Sequence, residues 1–230
     1  MDHGLDSKIA DIAASNTAAL EVFEKLGIDY CCGGWRSLAD ACAAAGVPVG
    51  TALALLERTP AAPAAAESAP ESLGSADLMR WIVEKHHRFV REASTRLTVL
   101  LAKSAAAHGA AHPEVAETAS IFQSLERELS AHMLREEAIL FPAFERLIAA
   151  PGGQAMAALT PPVRRMMEDH EDAGELLARM RSLTGGYAPP ADACPTLTAA
   201  YQGLAAFERD LHVHIHLENN VLFPRFQRAS

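Results

Sequence analysis

Two segments of the chain carry the same potential chemistry. HMLREEAILFPAFER at 132–146 and HIHLENNVLFPRFQR at 214–228 share His, Glu four residues later, then Leu-Phe-Pro, Phe and Arg at identical offsets. On a helix, residues four apart lie on one face about a turn apart, so His132 with Glu136, and His214 with Glu218, can each grip one point beside the helix. Forty-six residues before His132 stands His86, and forty-four before His214 stands His170. The repeat therefore gathers four imidazoles and two carboxylates: His86, His132, Glu136, His170, His214 and Glu218. That is a donor set for two transition metals bridged by carboxylates. Imidazole with carboxylate suits iron, manganese or zinc, and six-coordinate bridged pairs with open positions favour iron. A single His-x-x-x-Glu on an exposed face is an ordinary surface pair. A solvated surface has no need to set one directly ahead of Leu-Phe-Pro twice.

The repeat also gives a register for the neighbours. His212 and His216 lie about 200° from His214 around the helix and neither has Glu four residues on, so both are read as outside the ligand set. His87 adjoins His86, and the repeat favours His86 by a small margin. His108 and His112 fall in a predicted loop and carry no expected role. Glu137 is read as solvated or as hydrogen-bonded to a ligand, and Glu128, Asp169, Glu171 and Asp172, which lie near the ligand rows by spacing, as charge on a solvated face in preference to a proton or anion path. The Leu-Phe-Pro stretches are packing, with Pro142 and Pro224 bending their helices or weakening a turn.

A second chemical feature is LGIDYCCGGW at 26–35, where Cys31 and Cys32 precede Gly33 and Gly34. Successive helical side chains point about 100° apart, so regular structure would not let the two thiols share one metal. Three readings stay open: a tight turn with glycines at positive φ, a redox thiol pair, and a transient iron relay or docking surface. Cys42 and Cys194 are read as small structural residues.

These residues need long helices to position them. Four helical patterns, roughly 76–107, 115–148, 160–183 and 195–228, are separated by the breakers HGAAHP, PGG and GGYAPPADACP, which predicts an up-down-up-down four-helix bundle. Ahead of them, TPAAPAAAESAPESLGS at 59–75 reads as a semi-extended linker. The N-terminal part holds four short helices: one near 7–14, TAALEVFEKL stopped by Gly27, SLADACAAA stopped by Gly46, and TALALLER. The expected division is a short helical domain at 1–58, a linker at 59–75 and a bundle at 76–230, all α. A 58-residue unit is marginal as an independent fold, which makes a homodimer attractive.

Composition narrows the function classes. Twenty Lys and Arg against 29 Asp and Glu give a net charge of −9, which argues against a partner read through its phosphates, and no nucleic-acid role is expected. The longest charge-free runs, 41–56 and 147–163, are broken by Pro and Gly and fall short of a membrane span. The start, MDHGLDSKIA, has no apolar core, so a cytoplasmic protein with reduced thiols is the expectation.

With these residues in view, the bundle resembles the hemerythrin-like domain, whose helices supply His and carboxylate to a non-haem di-iron centre. The whole chain resembles the RIC (repair of iron centres) family. The matches are DYCCGG at 29–34, HMLREEAILFP at 132–142, EDHEDAGELL at 168–177 and HLENNVLFP at 216–224. The resemblance implies that His86, His132, Glu136, His170, His214 and Glu218 hold two iron ions, with both glutamates bridging. Oxygen-carrying hemerythrins place a further His four residues after the third ligand, where this chain has Gly174. That implies more open coordination, and reactivity or iron release over oxygen storage. The implied function is repair of iron–sulfur clusters damaged by nitrosative or oxidative stress, by iron donation to damaged iron–sulfur proteins. Reduction of nitric oxide or nitrite at the centre, or sensing or carriage of oxygen or nitric oxide, are the alternatives.

Overall fold

The computed structural model describes residues 4–16, 18–59, 69–150 and 157–227. Among these the fold is all α, in two compact units: the residues up to Trp81 with those from His212 on, and Ile82–Leu211.

The second unit is a helical bundle. Its long helices are α6 (Arg88–His108), α7 (Pro113–Arg135), α9 (Thr160–Leu183) and α10 (Pro195–His216, to Leu211 in this unit), with α8 (Phe141–Ala149) continuing the line of α7. Pro113 and Pro195 open their helices, where the missing N–H would have no partner inside the helix. Each helix buries one stripe: Leu97 and Leu101 on α6, Phe122, Leu125 and Leu129 on α7, Leu177 on α9, Leu204 and Phe207 on α10. Phe122 meets Phe207 edge to face at 5.3 Å between centroids, the geometry that sets a ring's positive edge on its partner's negative face.

Three of the long helical stretches contain a π-helical turn: Val83–His87, Glu136–Leu140 and Leu217–Leu222. Two have a visible cause. Pro142 and Pro224 lack an N–H and crowd the carbonyl four residues back, so the preceding turn widens while the helix continues beyond it. The prolines thus widen the repeated segments without ending them. No proline follows Val83–His87, and the sequence gives no cause for that turn.

The first unit holds α1 (Ile9–Ser15), α2 (Ala18–Leu26), α3 (Leu38–Ala44) and α4 (Val49–Glu57), with α5 (Ser75–Ile82, to Trp81 here) and α11 (Phe223–Gln227). The stop signals at Gly27 and Gly46 act as expected. Both have positive φ, 65° and 67°, and the N–H groups of Ile28 and Val47 reach back 2.9 Å to the carbonyls of Phe23 and Cys42, closing each helix with a left-handed cap. Of the predicted linker, 60–68 lies outside the described residues; Pro70–Ser72 forms a short 3-10 turn. The Arg225 guanidinium ties this stretch to α11 by donating to the carbonyls of Leu73 (2.6 Å) and Glu71 (2.8 Å).

The CCGG loop lies in this unit, and its glycines are needed for a different reason from the one expected. Neither Gly33 nor Gly34 has positive φ. A Cβ at Gly33 would sit 2.8 Å from the Asp29 carbonyl oxygen, and one at Gly34 would sit 2.6 Å from the Asn220 side chain. Asn220 cannot easily yield, because its amide donates to the carbonyls of Tyr30 and Cys31, both at 3.1 Å. The Gly34 carbonyl in turn accepts from Ala10 N–H at 2.9 Å. Gly33→Ala and Gly34→Ala are each expected to destabilise the protein by about 1–3 kcal/mol through overpacking, read as a lower urea midpoint with unchanged slope.

Candidate metal centre

In the bundle unit the site starts from α7. His132 is in its last turn and Glu136 opens the widened turn that follows, with side chains 2% and 0% exposed. His132 Nε2 and Glu136 Oε2 are 3.2 Å apart. From α9, His170 brings its Nε2 to 3.1 Å from His132 Nε2. Two nitrogens bound side by side to one metal, at about 2.1 Å each, are themselves about 3.0 Å apart, so these imidazoles sit as neighbouring ligands of a single ion would. His132, His170 and Glu136 offer donor atoms that all lie within 4.8 Å of one another. Two imidazoles and one carboxylate on one face is the donor arrangement of open non-haem iron sites.

The residue that approaches Glu136 from the turn at Val83–His87 is His87. Its ring is fully buried and its Nε2 lies 3.4 Å from Glu136 Oε2. His86, which the repeat favoured, directs Nδ1 to Asp210 Oδ1 at 3.1 Å. Both histidines lie in the π turn, which winds in one extra residue, about 100° of rotation, and so changes which of two neighbours faces a given partner.

Carboxylates hold the far side of these rings. His87 Nδ1 donates to Glu137 Oε1 at 2.6 Å, and His132 Nδ1 donates to Asp169 Oδ2 at 3.3 Å. Each bond fixes the proton on Nδ1 and leaves the Nε2 lone pair directed at the cluster. Glu137 also pairs with Arg91, and Asp169 with Arg135 and Arg165. Burial alone would raise the Asp169 carboxyl, but hydrogen bonds from His132 and Arg135 override it and hold the group down at about 2. Glu137 is lowered in the same way by His87 and Arg91. Asp169 is thus no solvated-face charge but the group that orients His132. Its partner lies 37 residues away, beyond the reach of helical spacing.

In the other unit, His214 Nε2 lies 3.1 Å from Glu218 Oε1, both side chains buried. The next two residues on that turn, Asn219 and Asn220, donate to the Cys31 carbonyl at 3.4 and 3.1 Å. The helix that carries Glu218 therefore also holds the cysteine loop. His212, read as outside the ligand set, binds Glu24 through Nδ1 at 2.6 Å. His216 packs edge-on to Tyr30 at 5.7 Å and meets the Asn220 amide at 3.1 Å.

Burial pushes the His216 imidazole down to about 4, because desolvation disfavours the cation. The unfolded chain takes up this proton near pH 6.5, so the contribution is complete above that pH and is lost as pH falls towards 4. The difference is worth about 3 kcal/mol. Between pH 7 and pH 4.5 the wild type is expected to lose correspondingly more stability in urea than His216→Gln at equal metal loading.

One group escaped sequence reasoning. The Cys194 thiol is lowered to about 7, first by the backbone N–H of Leu197 at the start of α10 and then by His108. His112 binds Asp192 and Glu114, both at 3.0 Å. The available signal was Cys immediately before Pro at a helix start, with His108 at the end of an earlier helix. The Cys31 thiol is raised instead, by its hydrogen bond with Cys32, then burial, then Asp29.

A helical bundle with buried imidazoles and carboxylates defines a cation-binding protein of the hemerythrin class. Residues 78–226 match the family model of the hemerythrin HHE cation binding domain, and residues 5–59 match the ScdA_N domain, described as of unknown function (DUF542). The iron-sulfur cluster repair protein YtfE of Pectobacterium atrosepticum is 34% identical over 226 residues, 98% of each chain. The protein of the same name from Citrobacter koseri is 36% identical over 221 residues, 96% of each chain. The iron-sulfur cluster repair protein ScdA of Staphylococcus haemolyticus is 31% identical over 221 residues, 96% of this chain and 98% of that one. The chain belongs to this iron–sulfur cluster repair family of hemerythrin-like proteins.

Proposed function

We propose that the protein repairs damaged iron–sulfur clusters by donating iron from a di-iron centre, for which His87, His132, Glu136 and His170 of the bundle would be ligands, with His214 and Glu218 assigned by the sequence repeat alone as the second His-x-x-x-Glu pair. The observation that carries this reading is the buried group of His132, His170 and Glu136, whose donor separations of 3.1 and 3.2 Å suit adjacent positions on one metal ion. His87 takes the place first given to His86 because its Nε2 meets Glu136. The duplicated His-x-x-x-Glu supports His214 and Glu218 as the matching pair. The relatives' names supply damaged iron–sulfur proteins as the clients.

Iron bound there supplies a reducible, exchangeable metal. Asp169 and Glu137 keep His132 and His87 in the tautomer that would bind metal, and the glutamates would supply carboxylate ligands whose hold on a metal weakens with protonation or competition. At Gly174, four residues after His170, a Cβ would meet nothing within 4 Å. The chain offers no imidazole at that position, so that turn supplies no further ligand. No helix among the described residues is long and apolar enough to cross a membrane, and no disulfide is formed by the four cysteines.

The test is iron transfer to a [4Fe–4S] protein inactivated by peroxide. Iron-loaded wild type is expected to restore the cluster, and Glu136→Ala and Glu218→Ala to restore none. Equal recovery with either variant overturns iron donation. So does nitrous oxide release from the diferrous protein and nitric oxide that outpaces repair, which assigns the centre to reduction instead.

A further inference from the structure

The CCGG loop is not part of the histidine and glutamate centre, yet it gathers three donors of its own. One atom each from Asp29, Cys31 and Cys32 lie within 4.8 Å of one another. Cys31 Sγ is 3.9 Å from Cys32 Sγ and 3.3 Å from Asp29 Oδ1. A tetrahedral ion with metal–sulfur bonds near 2.3 Å and a metal–oxygen bond near 2.0 Å needs separations of about 3.8 and 3.5 Å. The loop already holds both to within a few tenths of an ångström.

Regular helix would send neighbouring thiols about 100° apart. Residues 31–36 form bends and turns instead. The backbone is fixed from several sides. Cys32 N–H donates to Asp29 Oδ1 at 2.9 Å, Asn219 and Asn220 hold the Cys31 carbonyl, and glycine at 33 lets the chain press against Asp29. This is a rigid frame for the donors. It also has an open side, since Asp29 is exposed and Cys32 half-buried while Cys31 is buried.

We propose that Asp29, Cys31 and Cys32 form a binding site for a single thiophilic divalent cation, independent of the bundle's donors. Thiolate ligands select Fe2+ or Zn2+ over Mg2+ or Ca2+. Three protein donors leave the fourth position to water or to a group on another molecule, as in open tetrahedral sites. Binding displaces the thiol protons, up to two per ion, so affinity rises with pH.

Cobalt(II) added to the full-length, iron-loaded, reduced protein tests this. The expected result is a near-ultraviolet thiolate-to-cobalt band that saturates at one equivalent with proton release. The band is lost in Cys31→Ser/Cys32→Ser, kept in Cys194→Ser, and needs about tenfold more cobalt in Asp29→Asn. Should the double variant fold poorly, Zn2+ is expected to slow alkylation of Cys32 by iodoacetamide in the wild type. Absence of the band, its survival in the double variant, or unchanged alkylation with Zn2+ overturns the proposal. Bundle iron measured on the same samples separates its failure from that of the iron-donation reading.

Discussion

Glu136→Ala is expected to leave the bundle nearly free of iron, whereas Glu137→Ala retains it at about tenfold weaker affinity. The two residues are adjacent, so composition, charge and helix propensity hardly distinguish them. Geometry does. Glu136 is fully buried, and one of its oxygens lies 3.2 Å from His132 and 3.4 Å from His87, so removing it takes away the carboxylate shared by both imidazoles. Glu137 touches the outer nitrogen of His87 and Arg91, and its loss frees a tautomer and a ring orientation only, an effect of about 10–100-fold in metal affinity. Iron per chain after gel filtration, followed by chelator competition, separates the two.

His87→Ala is expected to lose about half of the bound iron, and His86→Ala to keep nearly all of it. The contrast isolates the effect of the π turn at Val83–His87. On a regular helix only one of two adjacent residues can face the interior, and counting from the repeat selects His86. The widened turn brings His87 Nε2 to Glu136 instead and engages His86 with Asp210. Equal iron loss in both variants would place both imidazoles at the metal, and loss confined to His86→Ala would restore the spacing argument. Iron content and optical spectra of the two purified variants decide between these outcomes.

What was legible in the sequence is what local geometry controls. His132 with Glu136, and His214 with Glu218, are joined by the four-residue spacing of one helix, and duplication of the motif removed the ambiguity of a single copy. The helices themselves followed from apolar periodicity and from Gly27 and Gly46, whose left-handed caps need no tertiary information. The unread features depend on contacts distant in sequence or on irregular backbone. Asp169 orients His132 across two helices. Gly34 is required by Asn220, far along the chain. The acidity of Cys194 comes from helix-terminal N–H groups and His108. The approach of His87 to Glu136 was not legible because a π turn without a following proline leaves no mark in the pattern of residue types.

The chain's organisation shows the same division between local and distant effects. Stop signals and linker composition divide it near residue 59, where the N-terminal helices end. In the structure, the turns from His212 on group with those helices, through Glu24 on His212, Asn220 on the Cys31 loop and Arg225 on Leu73. These polar contacts join residues more than 150 positions apart, and no composition shift announces them. They link the cysteine loop to the helix bearing Glu218.

The central claim is that the bundle's imidazoles and carboxylates hold a pair of iron ions. Metal analysis combined with Mössbauer spectra of the purified, air-oxidised protein tests it most directly. Two irons per chain, giving spin-coupled ferric signals with a diamagnetic ground state, is the predicted result. A single iron, a stoichiometric zinc, or two irons without magnetic coupling would contradict it.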